Sequence, residues 1–493
     1  MRRLTNFIVA FIVLLPSLAL SQELGLMRLR LIQGSVQIMN QETGDWAPAS
    51  INMPLNEGDR LWVPENSRLE IQVHGGVYVR ADEQSSIDIL SLSSDAMQLY
   101  MDHGHLYIHN RRGGIQTVQI DTPQSSIRSY DNSIMLLDVE EDSTTEVQSL
   151  KGYVYAESQE GKTRISSGSA LTLRPDGTAE LAPIGTSDEW ETWNRDLDLQ
   201  LMTVGESSRY LPDALQQYSS DFDQNGRWIY VNEYGYIWNP TVIASEWAPY
   251  REGYWRLISG HYAWISHEPW GWVPFHYGRW AHVMGIGWCW VPPSIDDIYW
   301  GPGYVGWVNT PEYVAWVPLA PGEIYYGYGY YGPRSVNITT IGINAIVAKP
   351  FINAPIFHSV TVVKRDAFGT RRPVPLQPRE NPFLKHRDGY IPPPPPSMHP
   401  EKPLPIHPRI VEPAAKQPPE RIQRIKPAEI KRERQLVKER EASVFKQQPQ
   451  KPLPLKQLKE PKVINRNIKP PAPQDKKEKP RKKETGDDKE RVR

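Results

Sequence analysis

From about residue 24 to 185 the chain alternates apolar and polar positions in short runs, as in Leu29-Arg30-Leu31-Ile32-Gln33-Gly34-Ser35-Val36-Gln37-Ile38 and Leu69-Glu70-Ile71-Gln72-Val73. Gly, Asn, Asp or Pro separates the runs, and a period of two punctuated by turn residues predicts a many-stranded antiparallel β domain. Later strands are read at Leu106–His109, Val118–Ile120, Ile134–Val139 and Lys151–Tyr155, and no helical period of any length interrupts them. The pattern changes between Thr186 and Met202. There Trp190, Trp193, Leu197 and Leu201 recur at three or four residues, Ser187 is placed to cap, and Asp188 and Glu189 suit a first turn. One amphipathic connector helix over 186–204 is predicted, its stripe packed on a neighbouring β unit.

A third pattern follows. Trp247-Ala248-Pro249-Tyr250-Arg251-Glu252-Gly253-Tyr254-Trp255 and Trp272-Val273-Pro274-Phe275-His276-Tyr277-Gly278-Arg279-Trp280 share the spacing W-x-P-[YF]-x-x-G-x-W, 25 residues apart. Gly-x-Trp recurs at Gly226, Gly253 and Gly278, and aromatic-x-Trp at Tyr236-Ile237-Trp238, Tyr262-Ala263-Trp264 and Trp288-Cys289-Trp290. A unit of about 26 residues used three times predicts stacked β units over 205–325, none able to bury its apolar face alone. Gly322 to Gly332 reads as an exposed Gly/Tyr loop, and the remainder to 369 as closing strands. The fold class expected is all-β.

Composition separates these regions further. Thirteen of the 17 tryptophans lie between Trp228 and Trp316, and 25 of the 46 prolines lie after residue 369. Lys plus Arg (56) nearly balances Asp plus Glu (57), but residues 370–493 hold 32 basic and 16 acidic side chains, leaving 24 and 41 in the rest. An acidic body carries a basic tail. With so few aromatics, the tail 370–493 is expected to be disordered, with a stiff element at Pro392–Pro396 and a charged helix over Ala428–Phe445. Its charge can contact lipid phosphate, anionic wall polymers or the acidic body itself, or leave the tail a solvated spacer; nucleic acid is not an expected partner.

Arg2 and Arg3, the nine-residue apolar run Phe7–Leu15, Pro16 and the small residues to Ser21 have the layout of a secretory signal, residues 1–21. The run falls short of the roughly 20 residues that span a bilayer. A periplasmic or extracellular location is expected, with membrane anchoring by an uncleaved signal as the alternative. The lone Cys289 excludes an intramolecular disulfide framework and reads as an apolar filler.

The order Gly34-Ser35-Val36-Gln37-Ile38, Trp46, Leu55-Asn56-Glu57-Gly58-Asp59-Arg60-Leu61, Gly75-Gly76, Ile120-Asp121-Thr122-Pro123 and Lys151-Gly152-Tyr153-Val154 resembles the FecR domain over 24–185. The likeness implies an extracytoplasmic β module of the kind found in iron-signalling regulators. The sigma-factor role is not carried over, because an export signal is expected where those regulators have a cytoplasmic head. The run from near Asp221 to Val374 resembles a Trp-rich domain of unknown function found after FecR domains, most specifically at Glu268–Trp280.

His103, His105 and His109 share alternate positions of one strand, yet only Asp102 stands near with ligand spacing, so they read as surface histidines and no metal is assigned. No nucleophile elbow, zincin helix, Walker loop or dinucleotide fingerprint is present, and Asp296-Asp297 reads as a turn, so no catalytic residue and no cofactor is assigned. The indoles admit two readings: core cement, each removing about 150–250 Å² from water at about 25 cal/mol per Å², or a face that stacks on sugar rings. A binding face would use Tyr250, Trp270, Trp272, His276, Tyr277 and Arg279. The expected function is a non-catalytic envelope scaffold or adhesion protein. Binding of cell-wall glycan through exposed aromatics, and a sensory role related to FecR regulators, are the alternatives.

Overall fold

A computed structural model of the chain describes residues 25–39, 44–111, 113–202, 205–241, 243–244, 246–258, 260–338, 350–371, 375–376, 381–385 and 417–437. All belong to one compact unit, and the signal segment 1–21 and Pro392–Pro396 lie outside the described residues.

The alternating runs pair into an eight-stranded and a nine-stranded sheet. Their inward positions form one core: Leu29, Ile71, Val79 and Leu137 from the first sheet meet Leu61, Ile89, Leu99 and Ile127 from the second. Every pairing in the eight-stranded sheet is antiparallel. The nine-stranded sheet departs from expectation once, since Ala96–Tyr100 and Thr117–Asp121 run parallel. The reason is the strand Gly104–Asn110, which sits in the other sheet; the chain crosses the sandwich and returns in its original direction.

The connector folds as the helix Glu189–Met202. Its cap is Asp188, whose carboxylate accepts the Glu191 N–H at 2.8 Å, and not Ser187. The stripe packs on the outer face of the eight-stranded sheet, with Trp190 against Tyr107 and Leu136 and stacked on Trp193.

Each Trp repeat is a β-hairpin whose two tryptophans face each other across the strands. The pairs are Trp228 with Trp238, Trp255 with Trp264, Trp280 with Trp290 and, in a fourth hairpin, Trp307 with Trp316. The glycine of Gly-x-Trp has a steric cause: a Cβ on Gly226, Gly253 or Gly278 would lie 2.4, 2.6 or 2.8 Å from the ring of Trp238, Trp264 or Trp290. The fourth hairpin carries Val305 at that position. Together the rings build a second core with Phe222, Phe275 and Phe368. The repeats are not conformational copies, for Trp272–His276 is one helical turn whereas Tyr250 takes a left-handed φ of 61°.

The hairpin of Gly253–Ile258 and His261–Ser266 joins the two cores. Tyr254, Ile258, Ala263 and Ile265 enter the sandwich core, while Trp255 and Trp264 enter the aromatic one. The Gly/Tyr stretch is less exposed than expected, because Tyr325–Gly327 pairs in parallel with Ser335–Asn337 and Tyr325 is buried against Tyr304 and Leu319. Thr361–Lys364 closes the fourth hairpin's sheet by pairing with Tyr313–Pro318.

Of the tail 370–493, residues 370–371, 375–376, 381–385 and 417–437 are described, and the rest lies outside the described residues. Phe383 is buried beside Phe351, and residues 417–437 lie against the nine-stranded sheet with short helices at Glu420–Gln423 and Pro427–Glu433. The charged helix expected over Ala428–Phe445 is shorter: it runs from Pro427 to Glu433, residues 434–437 are not helical, and residues 438–445 lie outside the described residues.

Candidate functional site

The six residues proposed for a stacking face come together, but in the core. Tyr250, Trp270, Trp272, His276, Tyr277 and Arg279 are all at most 9% exposed, so no ring face among them is open to a sugar. Tyr250, His276 and Arg279 use polar side-chain atoms internally. Tyr250 donates its hydroxyl to the Phe275 carbonyl at 2.8 Å and accepts the Tyr304 N–H at 2.9 Å, while its own carbonyl accepts the Trp316 indole N–H at 2.8 Å. The Nδ1 of His276 bonds the Gly301 carbonyl at 2.7 Å and its ring stacks on Trp300, and burial pushes its pKa down to about 4. Arg279 lies 3.9 Å over the Tyr304 ring. The indoles are packed because each hairpin must bury its own aromatic pair.

The junction between the sandwich and the aromatic unit is where polar chemistry concentrates. Arg28 contacts Asp221 at 2.5 Å, Gln72 at 2.6 and 2.8 Å and Asn52 at 3.0 Å. Arg30 joins Asp221, at 3.6 Å, to Glu70, at 2.5 Å. Glu70 then meets Arg80 at 2.6 Å, and Arg80 meets Asp198 of the connector helix at 2.8 Å. Asp198 also accepts from Tyr107 at 2.7 Å and lies 2.9 Å from His109. Five charged residues of alternating sign thus run from the helix across the sheet to Asp221. Alternation on the strands makes this possible, since the same positions that put Leu29, Ile71 and Val79 inward put Arg28, Arg30, Glu70 and Arg80 outward.

Beside it, the loop after the strand Trp46–Pro48 docks the repeat unit. The Asn52 amide, held at a φ of 59°, donates to the Glu268 carbonyl at 2.7 Å, Tyr254 and Ser50 hydroxyls meet at 3.2 Å, and Trp300 covers Gly25. The Glu268 side chain accepts the Trp247 indole N–H at 2.9 Å, and burial raises its pKa to about 7. None of these partners was legible in the sequence, because the motif at Glu268–Trp280 marks the residues without naming the loop they meet.

The three histidines are separated in role. His105 pairs with Asp138 at 2.6 Å, a hydrogen bond that raises its pKa, His109 belongs to the buried network, and His103 precedes the strand. Next to His105 an open depression of about 410 Å³ is lined by Asp82, Asp138, Glu140, Glu146, Asp188 and Glu191. Among the described residues no three His, Cys, Asp or Glu side chains are grouped to hold a metal ion. Asp296 and Asp297 sit on the turn Ile295–Asp297.

Comparison with known proteins agrees with both resemblances. The FecR protein family matches residues 59–155, and a family of unknown function, DUF6600, matches residues 219–323. The chain thus carries a FecR domain followed by a DUF6600 domain. No curated protein matches the chain significantly. Two crystal structures of a protein assigned as an anti-sigma factor from Parabacteroides distasonis are similar over 25% of this chain, at 14% and 15% identity and a TM-score of 0.23. The match spans 59% of those chains.

Proposed function

We propose that this chain is an exported, non-catalytic envelope component whose FecR domain has a regulatory or sensory role, coupled mechanically to the Trp-rich domain. The observation that carries the reading is the FecR match at residues 59–155. The junction supports the coupling, because a buried ion pair that ties residue 28 to residue 221 transmits displacement of one domain to the other. Export rests on the segment 1–21 alone. Among the described residues no helix is long and apolar enough to cross a membrane.

Transcript profiling of a deletion strain, with and without the full chain restored, tests the role. A regulator restores a defined set of transcripts. If restoration changes no transcript, the reading fails, and a scaffold or adhesion role replaces it. That second reading is favoured by the burial of the tryptophan pairs, which places the indoles in the service of stability. The aromatic glycan-binding reading loses its support, since its six residues offer no open face. Protease protection in whole cells, with sequencing of the mature N-terminus, tests export.

A further inference from the structure

Residues 417–437 are rich in Arg, Lys, Glu and Gln and bury little apolar surface, yet they occupy the outer face of the nine-stranded sheet. Side chains of the sheet read the main chain of this segment. Arg60, itself held by Asp88 at 2.7 Å, donates to the Ile422 carbonyl at 2.6 Å. Gln98 donates to the Arg434 carbonyl while bonding Asp121 at 2.6 Å. Gln119 uses both ends of its amide, donating to the Gln435 carbonyl at 3.3 Å and accepting the Val437 N–H at 3.2 Å.

Charge supplies the second layer. Arg421 reaches Asp102 at 2.7 Å and the Glu141 carbonyl at 2.6 Å, and Lys431 pairs with Glu57. Ile422, 2% exposed, is the aliphatic anchor of the segment. The polar row on this face of the sheet is set by strand register, with Arg60 opposite Asp88, Asp88 opposite Tyr100, and Tyr100 opposite Asp121. Buried polar groups need partners, and here the partners are carbonyls and an N–H that any peptide carries.

We propose that this face is a recognition site for a basic peptide segment of a protein partner, one presenting an Arg-Ile pair followed by further Lys and Arg. Residues 417–437 are its resident occupant, and a partner segment of the same chemistry displaces them. Two features make displacement possible. A single buried isoleucine gives the segment little apolar hold, and 31 residues separate Lys385 from Gln417, so the occupant remains tethered when it leaves. The tether keeps it at a high effective concentration, which sets the threshold a partner must exceed. This inference goes beyond the proposed regulatory role and stands or falls independently of transcription.

The test uses the full-length chain and a fluorescein-labelled synthetic peptide of residues 417–437, followed by anisotropy at low salt. The double variant R421E/I422D weakens the resident segment and leaves the sheet face intact. It is expected to bind the peptide at least about tenfold more tightly than the wild-type chain, and adding Gln119→Ala is expected to abolish the gain. Equal binding by the two chains, or equal binding of a scrambled peptide, overturns the proposal. If the double variant does not fold, hydrogen exchange on the wild-type chain decides: the Val437 amide is expected to be protected, with protection lost on adding excess unlabelled peptide, and an unprotected amide overturns it. A concentration-dependent dimer that vanishes with I422D places the segment on a second copy and overturns the intramolecular assignment.

Discussion

Arg28 and Asp221 are 193 positions apart in the chain and 2.5 Å apart in space, and both are buried. Arg28 also lies 5.4 Å over Tyr218 and 5.7 Å over Trp272, so its charge is held by one carboxylate and two rings where the domains meet. Removing one partner of such a pair strands the other charge away from water, which costs about 3–5 kcal/mol. Asp221→Ala is therefore expected to lower urea stability by that order and to separate the unfolding of the sandwich from that of the aromatic unit. A loss below about 1 kcal/mol with one cooperative transition would show that the pair does not couple the domains.

The repeat's glycines offer a steric test. Gly226 and Gly253 lack a positive φ, so their substitution by alanine probes space alone, and a Cβ there meets the partner indole at 2.4 and 2.6 Å. Gly226→Ala and Gly253→Ala are each expected to cost about 1–3 kcal/mol through forced repacking. Gly185, with open space around it, is the control and is expected to change stability by less than about 0.5 kcal/mol. Thermal denaturation of the three variants gives the ranking; equal midpoints would mean that the opposing indoles yield without cost.

These two cases mark what the sequence made legible. The Gly-x-Trp and W-x-P spacings announced a β repeat, because a hairpin with facing indoles imposes a local period that survives in the residues. Whether the rings are buried was not legible: the same strand propensity serves a displayed face and a packed one, and the deciding surfaces come from other parts of the chain. The hairpin at 253–266 is buried on both sides only because the sandwich offers Ile38 and Leu29 to the same core as Tyr254 and Ile265. The docking of 417–437 was legible only in part. The tail's basic charge marked the acidic body as one possible contact, and Arg421 with Asp102 and Lys431 with Glu57 are such contacts, whereas the main-chain carbonyls bound by Arg60, Gln98 and Gln119 leave no mark in composition.

Cys289 sits between Trp288 and Trp290 with no exposed surface, and burial pushes its thiol up to about 11. The thiolate is the reactive form, so both access and ionisation protect it. No reaction with a disulfide reagent at pH 8 is expected in the folded chain, followed by one equivalent on denaturation. Rapid labelling under native conditions would contradict the packing of the third hairpin.

The junction also predicts a pH dependence in which two groups oppose each other. Glu268 lies under Trp247 and near Glu252, and its folded pKa of about 7 stands above its ordinary 4.5. Between those values the folded state holds a proton that the unfolded state has released, so this group's contribution is full below 4.5 and is lost as pH rises to about 7. His276, shut in beside Trp300 and repelled by Arg28, has a folded pKa of about 4 against an ordinary 6.5. The unfolded state takes up that proton first, so its contribution is full above 6.5 and is lost as pH falls to about 4. Across pH 4.5–6.5 the two slopes have opposite signs, each at most about 1.4 kcal/mol per pH unit. Glu268→Gln is therefore expected to make stability climb more steeply with pH than in the wild type over that window, and His276→Gln to make it fall. Urea midpoints measured at half-unit steps of pH resolve the slopes; variants that parallel the wild type would show that neither group titrates out of line with the unfolded chain.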